Sequence, residues 1–138
     1  AFPDLYHAAW GAAFAPKLGL AASDNTMQLA KDLLAVMADA GADFTNTFNT
    51  LDQTATAYPD WHARWRAANP DDALWRKTNP QVIPRTHKIE QVIQAATTGD
   101  FAPFHQMLAA VTAPHAANED YMRPPEEAEK VHQTFCGT

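Results

Sequence analysis

The chain has 138 residues, 46% of them hydrophobic, which is enough apolar material for the core of one folded domain. Ten Lys and Arg against sixteen Asp and Glu give a formal net charge of -6, and the basic residues do not cluster, so neither nucleic acid nor an anionic membrane is an expected partner. A single cysteine excludes an internal disulfide framework, and no apolar run approaches the roughly 18 residues of a membrane span, so we expect a cytoplasmic protein.

Abundant alanine and apolar residues at helical spacing indicate an all-α fold, an irregular array of about five to seven helices without strands.

The first third of the sequence predicts two of these helices. Asp4 is expected to cap a first helix that ends between Pro16 and Gly19. Ser23 or Asp24 is expected to cap a second helix that ends at Gly41. The apolar stripe of this second helix consists of Leu29, Leu33, Val36, Met37 and Ala40.

The middle of the chain predicts shorter helices separated by proline-containing breaks. Residues 43–56 form a weaker predicted helix, because their threonines and asparagines offer the backbone competing hydrogen bonds. Trp61, Arg64 and Trp65 are three and four residues apart and share one helix face. A break at Asn69-Pro70 precedes a short helix around residues 73–77, which ends at Asn79-Pro80.

Two further helices are predicted before a tail. Pro84 suits the first turn of the first of them, which ends at Gly99, and Asp100 is expected to cap the second, which stops at Pro114. The apolar stripe of the first is Ile89, Val92, Ile93 and Ala96, and the residues expected to face inward on the second are Phe104, Met107, Leu108 and Val111. We therefore divide the chain into a helical region, residues 1–114, and an extended, mobile tail, residues 115–138.

The sequence does not predict a catalytic, cofactor-binding or metal-binding residue. Its glycines are isolated, whereas a phosphate-binding loop needs several together. Its six histidines do not fall at the spacing that places two on one helix face, and the adjacent acid pairs Asp71-Asp72 and Glu126-Glu127 point apart on a helix. Four tryptophans in so small a helical protein indicate a core or a contact with another domain rather than a ligand pocket.

Cys136 is the residue with the clearest chemical potential. A thiol on an exposed tail is free to react, whereas a cysteine kept for packing belongs on an apolar face. Prenylation is excluded, because it requires the cysteine fourth from the end, and only Gly137 and Thr138 follow Cys136. The thiol is therefore redox-active, paired with another segment, or without a role.

Six segments, taken in order, resemble the C-terminal portion of one protein family. They are Trp10 with Lys17-Leu18-Gly19-Leu20; Asp43-Phe44-Thr45-Asn46-Thr47-Phe48; Trp61-x-x-Arg64-Trp65; Asn79-Pro80-x-Val82-Ile83-Pro84-Arg85-Thr86-His87; Gly99-Asp100-Phe101-x-Pro103-Phe104; and Thr134-Phe135-Cys136-Gly137-Thr138. The family is selenoprotein O, the protein adenylyltransferases also called YdiU proteins. The chain departs from the family pattern after Pro114, where His115-Ala116-Ala117-Asn118 replaces an aromatic and acidic stretch.

The resemblance implies a longer parent enzyme with a protein-kinase-like fold. Such an enzyme binds ATP with Mg²⁺ or Mn²⁺ and transfers AMP to Ser, Thr or Tyr hydroxyls of protein substrates. Its nucleotide- and metal-binding residues precede the matching region, so this chain is expected to be a non-catalytic helical fragment that holds no cofactor and has the upstream kinase-like domain as its partner. The absence of a methionine before Ala1-Phe2-Pro3 agrees with that expectation.

The resemblance also assigns roles to single residues. It implies that Cys136 pairs with a cysteine of the kinase-like part and makes activity sensitive to redox conditions. The family-motif residues expected to be structural are Asn46, Trp65, Asn79, Pro80 and Arg85. Two alternatives remain open: a free-standing helical interaction module that docks through exposed Trp61, Trp65 and Trp75, and a small thiol enzyme that uses Cys136.

Overall fold

The computed structural model describes residues 2–132, which form nine α-helices and two short 3₁₀ helices and contain no strand. The α-helices are α1 (Phe2–Lys17), α2 (Asp24–Ala40), α3 (Phe44–Asn49), α4 (Thr54–Ala57), α5 (Pro59–Ala67), α6 (Asp72–Thr78), α7 (Thr86–Thr97), α8 (Ala102–Val111) and α9 (Glu119–Met122). The 3₁₀ helices are Leu51–Gln53 and Glu127–Glu129. The all-α prediction is confirmed. The helix count exceeds the expected five to seven because residues 43–57 divide into α3 and α4, and because α9 lies in the segment for which the sequence predicts an extended tail.

The chain separates into two compact units, Ala1–Pro80 and Gln81–Thr138. The first contains α1 to α6 and the second contains α7 to α9. In the second unit, the backbone amides of Gln81 and Val82 donate to the carbonyl of Pro114 at 2.8 and 3.0 Å. The sequence instead suggests a boundary after residue 114, between a helical region and a tail. That boundary stays a prediction.

Helix α2 has the ends that its sequence predicts, and most of the predicted apolar stripe is buried, but Val36 is half-buried and Ala40 is exposed. The Oγ of Ser23 accepts a hydrogen bond from the amide of Thr26 at 3.1 Å, which caps the first turn. Gly41 follows the last turn at φ 62°, a left-handed conformation that costs glycine little. Leu29, Leu33 and Met37 are buried in the core of the first unit.

Three tryptophans form the centre of that core. Trp61, Trp65 and Trp75 are 4%, 0% and 0% exposed. Their rings are in contact in sequence order, with centroids 5.7 Å apart for Trp61 and Trp65 and 6.0 Å apart for Trp65 and Trp75. The prediction that the tryptophans build a core is confirmed, and the alternative of an exposed docking face made of these three side chains is wrong.

Helix α1 differs from its sequence-based prediction at its start. It begins at Phe2, so Asp4 lies inside the first turn instead of capping it. Trp10 and Phe14 are half-buried and stack at 4.3 Å, and Gly11 and Ala15 beside them are buried. The buried face therefore lies on the C-terminal half of the helix, where α2 packs against it.

The second unit exposes apolar side chains that its sequence predicts to be inside. Met107 of α8 is buried as expected, but Phe104 and Leu108 are 47% and 46% exposed. Helix α7 begins at Thr86, two residues after Pro84, and Arg85 occupies its N-cap. None of the helices formed by residues 2–132 combines the length and apolar character needed to cross a bilayer.

Candidate functional site

Asn79 is the family-motif residue with the most complete set of contacts. Its side chain is 2% exposed, and Nδ2 donates to the carbonyl oxygens of Lys17 at 2.7 Å and of Trp75 at 2.9 Å. Both acceptors lie in the last turns of helices, and the carbonyl of Trp75 also accepts the backbone amide of Asn79 at 3.0 Å. One asparagine side chain thus joins the C-terminal end of α1 to that of α6.

Lys17 lies beside this junction in an unusual setting for a cation. Its Nζ is 3.4 Å from Oδ1 of Asn79 and 5.7 Å from the ring centroids of both Phe44 and Phe48. Partial burial lowers the pKa of the Lys17 ammonium below its ordinary value. The two aromatic faces and the amide oxygen stabilise the charged form in place of water.

The other motif residues of the first unit also take part in hydrogen bonds between side chains and the backbone. The indole nitrogen of Trp65 donates to the carbonyl of Leu18 at 2.8 Å. The backbone amide of Asn46 donates to Oδ1 of Asp43 at 2.9 Å, which caps α3. The carbonyl of Pro80 accepts from Nδ2 of Asn49 at 3.5 Å. These contacts hold the ends of α1, α3 and α6.

In the second unit the motif residues line a groove at the N-terminal end of α7. We call it the His87 groove; its volume is about 520 Å³, and its lining residues are Ile83, Pro84, Arg85, Thr86, His87, Pro125, Glu129, Lys130, Val131 and His132. Arg85 is 7% exposed, and its Nε donates to the carbonyl of Tyr121 at 3.2 Å. The groove combines prolines and aliphatic side chains with several ionisable groups.

His87 is the second buried ionisable group of the groove, after Arg85. It is 4% exposed, and its Nε2 has no hydrogen-bond partner within residues 2–132. Burial lowers the pKa of His87, the carboxylate of Glu129 opposes that shift, and the cations of Arg123, Lys88 and Arg85 add to it. The imidazole is therefore neutral at pH 7, and a neutral ring is suited to accept or donate one hydrogen bond rather than to carry charge.

An ion pair fixes the chain segment that faces His87. Arg123 donates to both carboxylate oxygens of Glu129, at 2.6 and 2.8 Å. The hydrogen bonds from Arg123, with that from the amide of Glu126, lower the pKa of Glu129 to about 2. Nε2 of Gln91 donates to the same carboxylate at 3.3 Å, which links the segment to α7. Sequence reasoning missed this pair, because it placed both residues in an extended tail.

The structure contains no cluster of three or more metal-ligating His, Cys, Asp or Glu side chains within residues 2–132. The glycines with positive φ, which are Gly19, Gly41 and Gly99, follow the ends of α1, α2 and α7 in place of forming a loop together. Cys136, the redox candidate, lies outside the described residues.

Comparison with known proteins identifies relatives along the whole chain, although no family model and no solved structure matches it. The protein nucleotidyltransferase YdiU of Ruegeria sp. (strain TM1040) is 44% identical over all of this chain, and that of Roseobacter denitrificans is 40% identical. A third relative of the same name, from Mycolicibacterium smegmatis, is 37% identical over 99% of the chain.

The chain spans about a third of the length of these curated relatives, namely 33%, 32% and 31% of the three proteins. The alignment with the Ruegeria protein extends over 155 positions, more than the 138 residues of this chain, so the relative has insertions within the matching region. Because the similarity extends over the entire chain, the chain belongs to the family of YdiU protein nucleotidyltransferases.

Proposed function

We propose that this chain is the non-catalytic, C-terminal helical part of a cytoplasmic protein nucleotidyltransferase. The longer part of that enzyme binds ATP with Mg²⁺ or Mn²⁺ on a kinase-like fold and transfers AMP to Ser, Thr or Tyr hydroxyls of proteins. One observation carries the proposal: 44% identity over the whole chain to a protein nucleotidyltransferase of which the chain spans 33%.

The contacts of the motif residues support a structural role for this part. The side chains of Trp65 and Asn79 are buried, and each donates to backbone carbonyls at helix ends. A catalytic group must instead reach substrate with a free donor, acceptor or nucleophile. The motif residues of the first unit therefore serve to hold α1, α5 and α6 together.

The proposal is tested with a full-length chimera in which this chain replaces the matching third of the Ruegeria relative. Transfer of labelled AMP from ATP to protein acceptors is measured for the chimera, for the intact relative and for the 138-residue chain alone. We expect transfer by the first two and none by the isolated chain. An isolated chain that transfers AMP, or an inactive chimera beside an active relative, would contradict the proposal.

We also propose that Cys136 regulates the enzyme through a disulfide with the kinase-like part. A tethered thiol meets its partner at a high effective concentration and is released by reduction. The test compares the chimera with its Cys136→Ser variant under oxidising and reducing conditions. Wild type should respond to the redox conditions and the variant should not; equal activity of both proteins under both conditions would refute the role.

A further inference from the structure

The surface of the second unit carries five large apolar side chains within 20 residues. Ile89 and Ile93 of α7 are 37% and 51% exposed, and Phe101, Phe104 and Leu108 on and before α8 are 57%, 47% and 46% exposed. We call this set the α7–α8 stripe. Single exposed apolar residues are ordinary, whereas a contiguous group of this size marks a surface that another apolar surface covers.

The helical period places these side chains on one side of the helix pair. Helices α7 and α8 pack together, and a connection of only four residues between packed helices is typical of an antiparallel pair. Val92 and Pro103 line one small cavity, so they mark the sides on which the two helices face each other. Ile93 follows Val92 by one position and Phe104 follows Pro103 by one position, so each side chain is turned about 100° around its helix axis from the side that faces the other helix. In two antiparallel helices these equal rotations place both side chains on the same side of the pair.

The polarity along the stripe agrees with an interface. Thr86 and Thr97 on α7 and Thr112 after α8 continue the stripe at helical spacing, and exposed Glu90, three residues before Ile93, lies at its edge. The aromatic and aliphatic side chains and the neutral hydroxyls lose little solvation when they are covered, and a charged side chain such as Glu90 belongs at the solvated rim of an interface.

We infer that the α7–α8 stripe is the face on which this part docks against the remaining two-thirds of a YdiU nucleotidyltransferase. The inference rests on the proposed function, and the length of the relatives supplies the occupant. About two-thirds of each relative lies outside the match, and covalent linkage keeps that polypeptide at a high effective concentration. A second copy of this chain is disfavoured as the occupant, because each copy has a formal charge of -6.

The test compares Ile93→Glu and Phe104→Glu in the isolated chain and in the full-length chimera. Gln94→Glu is the matched control, since Gln94 is exposed on α7 beside Ile93 but outside the stripe. We expect both stripe variants to lower the melting temperature of the chimera by several degrees and that of the isolated chain by less than about one degree. Phe104→Ala is measured in parallel. If the introduced charge unfolds the Phe104→Glu chimera, the alanine variant still provides a melting temperature.

Three outcomes would overturn the inference. Equal shifts in chain and chimera would show that the side chains act within their own unit. No shift in either protein would show that the stripe stays in contact with water. A dimer of the isolated chain, seen by light scattering and dissociated by the stripe variants, would make a second copy the occupant. AMP transfer by the wild-type chimera tests the proposed function separately, because it does not depend on which face docks.

Discussion

Gly19 shows how a single hydrogen atom in place of a side chain allows two segments to meet. Its φ is 70°, and a Cβ at this position would lie 2.5 Å from the carbonyl oxygen of Asp71. The amide of Asp71 donates to the carbonyl of Gly19 at 2.8 Å, so the two backbones are in direct contact. The sequence marks Gly19 as a helix end, but the close approach of residue 71 is a tertiary feature.

Gly19→Ala should therefore destabilise the first unit more than Gly41→Ala. Gly41 has φ 62°, and no atom lies within 4 Å of a Cβ added there. Gly41→Ala should therefore lower the free energy of unfolding by about 1 kcal/mol, the cost of the left-handed conformation alone. Alanine at Gly19 should lose about 3 kcal/mol, because overpacking against Asp71 adds to the conformational term. Urea unfolding followed by tryptophan fluorescence measures both values. Equal losses would show that the contact with Asp71 relaxes without cost.

His87 should make the second unit sensitive to mild acid. Its pKa is lowered from 6.5 by burial, so below pH 6.5 the unfolded chain binds a proton before the folded chain does. The contribution of His87 to the free energy of unfolding is therefore fully present above pH 6.5. It is lost as the pH falls toward the pKa of His87 in the folded chain. The facing charges, those of Glu129, Arg123, Lys88 and Arg85, leave the direction of the shift unchanged.

NMR titration of the His87 ring and thermal unfolding by circular dichroism at pH 7.5 and 5.5 test this prediction. The loss of melting temperature between the two pH values should be smaller in His87→Leu than in wild type. Lys88→Gln is the control, since it removes a neighbouring charge but retains the imidazole. An ordinary pKa for His87, or equal pH dependence of wild type and His87→Leu, would contradict the burial argument.

The junction of α1 and α6 depends on the side chain of Asn79. Asn79→Ala leaves the carbonyl of Lys17 without its buried donor, while the carbonyl of Trp75 keeps the backbone amide of residue 79, and the loss should cost about 2 kcal/mol of unfolding free energy. Thr78→Ala is a matched control, because Thr78 bonds only the carbonyl of Leu74 within its own helix. Chemical denaturation of the two variants gives the comparison. Similar stability of both would mean that water replaces the asparagine amide.

The ends of the predicted helices depend mainly on residues adjacent in sequence, whereas their buried faces depend on tertiary contacts. Both ends of α2 follow from Ser23 and Gly41, since capping and the left-handed stop involve residues adjacent in sequence. The break after α5 follows from Asn69-Pro70, and Asn69 adopts φ 56° there. The inward face of α8 was predicted wrongly at Phe104 and Leu108, because burial depends on what a neighbouring element covers.

Because the chain has two compact units, we expect a probe of one unit and a probe of the other to report separate unfolding transitions. All four tryptophans belong to Ala1–Pro80, so tryptophan fluorescence reports on the first unit alone. Met107→Ala should destabilise the second unit by about 2 kcal/mol through the cavity that it leaves. Hydrogen exchange of residues 86–111 should then accelerate, while the midpoint of the fluorescence transition stays unchanged. A midpoint that moves together with the exchange data would show a single cooperative transition.

The sequence by itself determined the all-α class, the ends of α2, the breaks at Asn69-Pro70 and Asn79-Pro80, and the family. These features depend on local backbone preferences and on the order of motifs along the chain. Only the tertiary structure decided that His87 is buried, that Arg123 pairs with Glu129, and that the α7–α8 stripe is left uncovered by the rest of this chain. Burial and ion pairing arise from residues brought together by packing, and the periodicity of one segment carries no information about what packs against it.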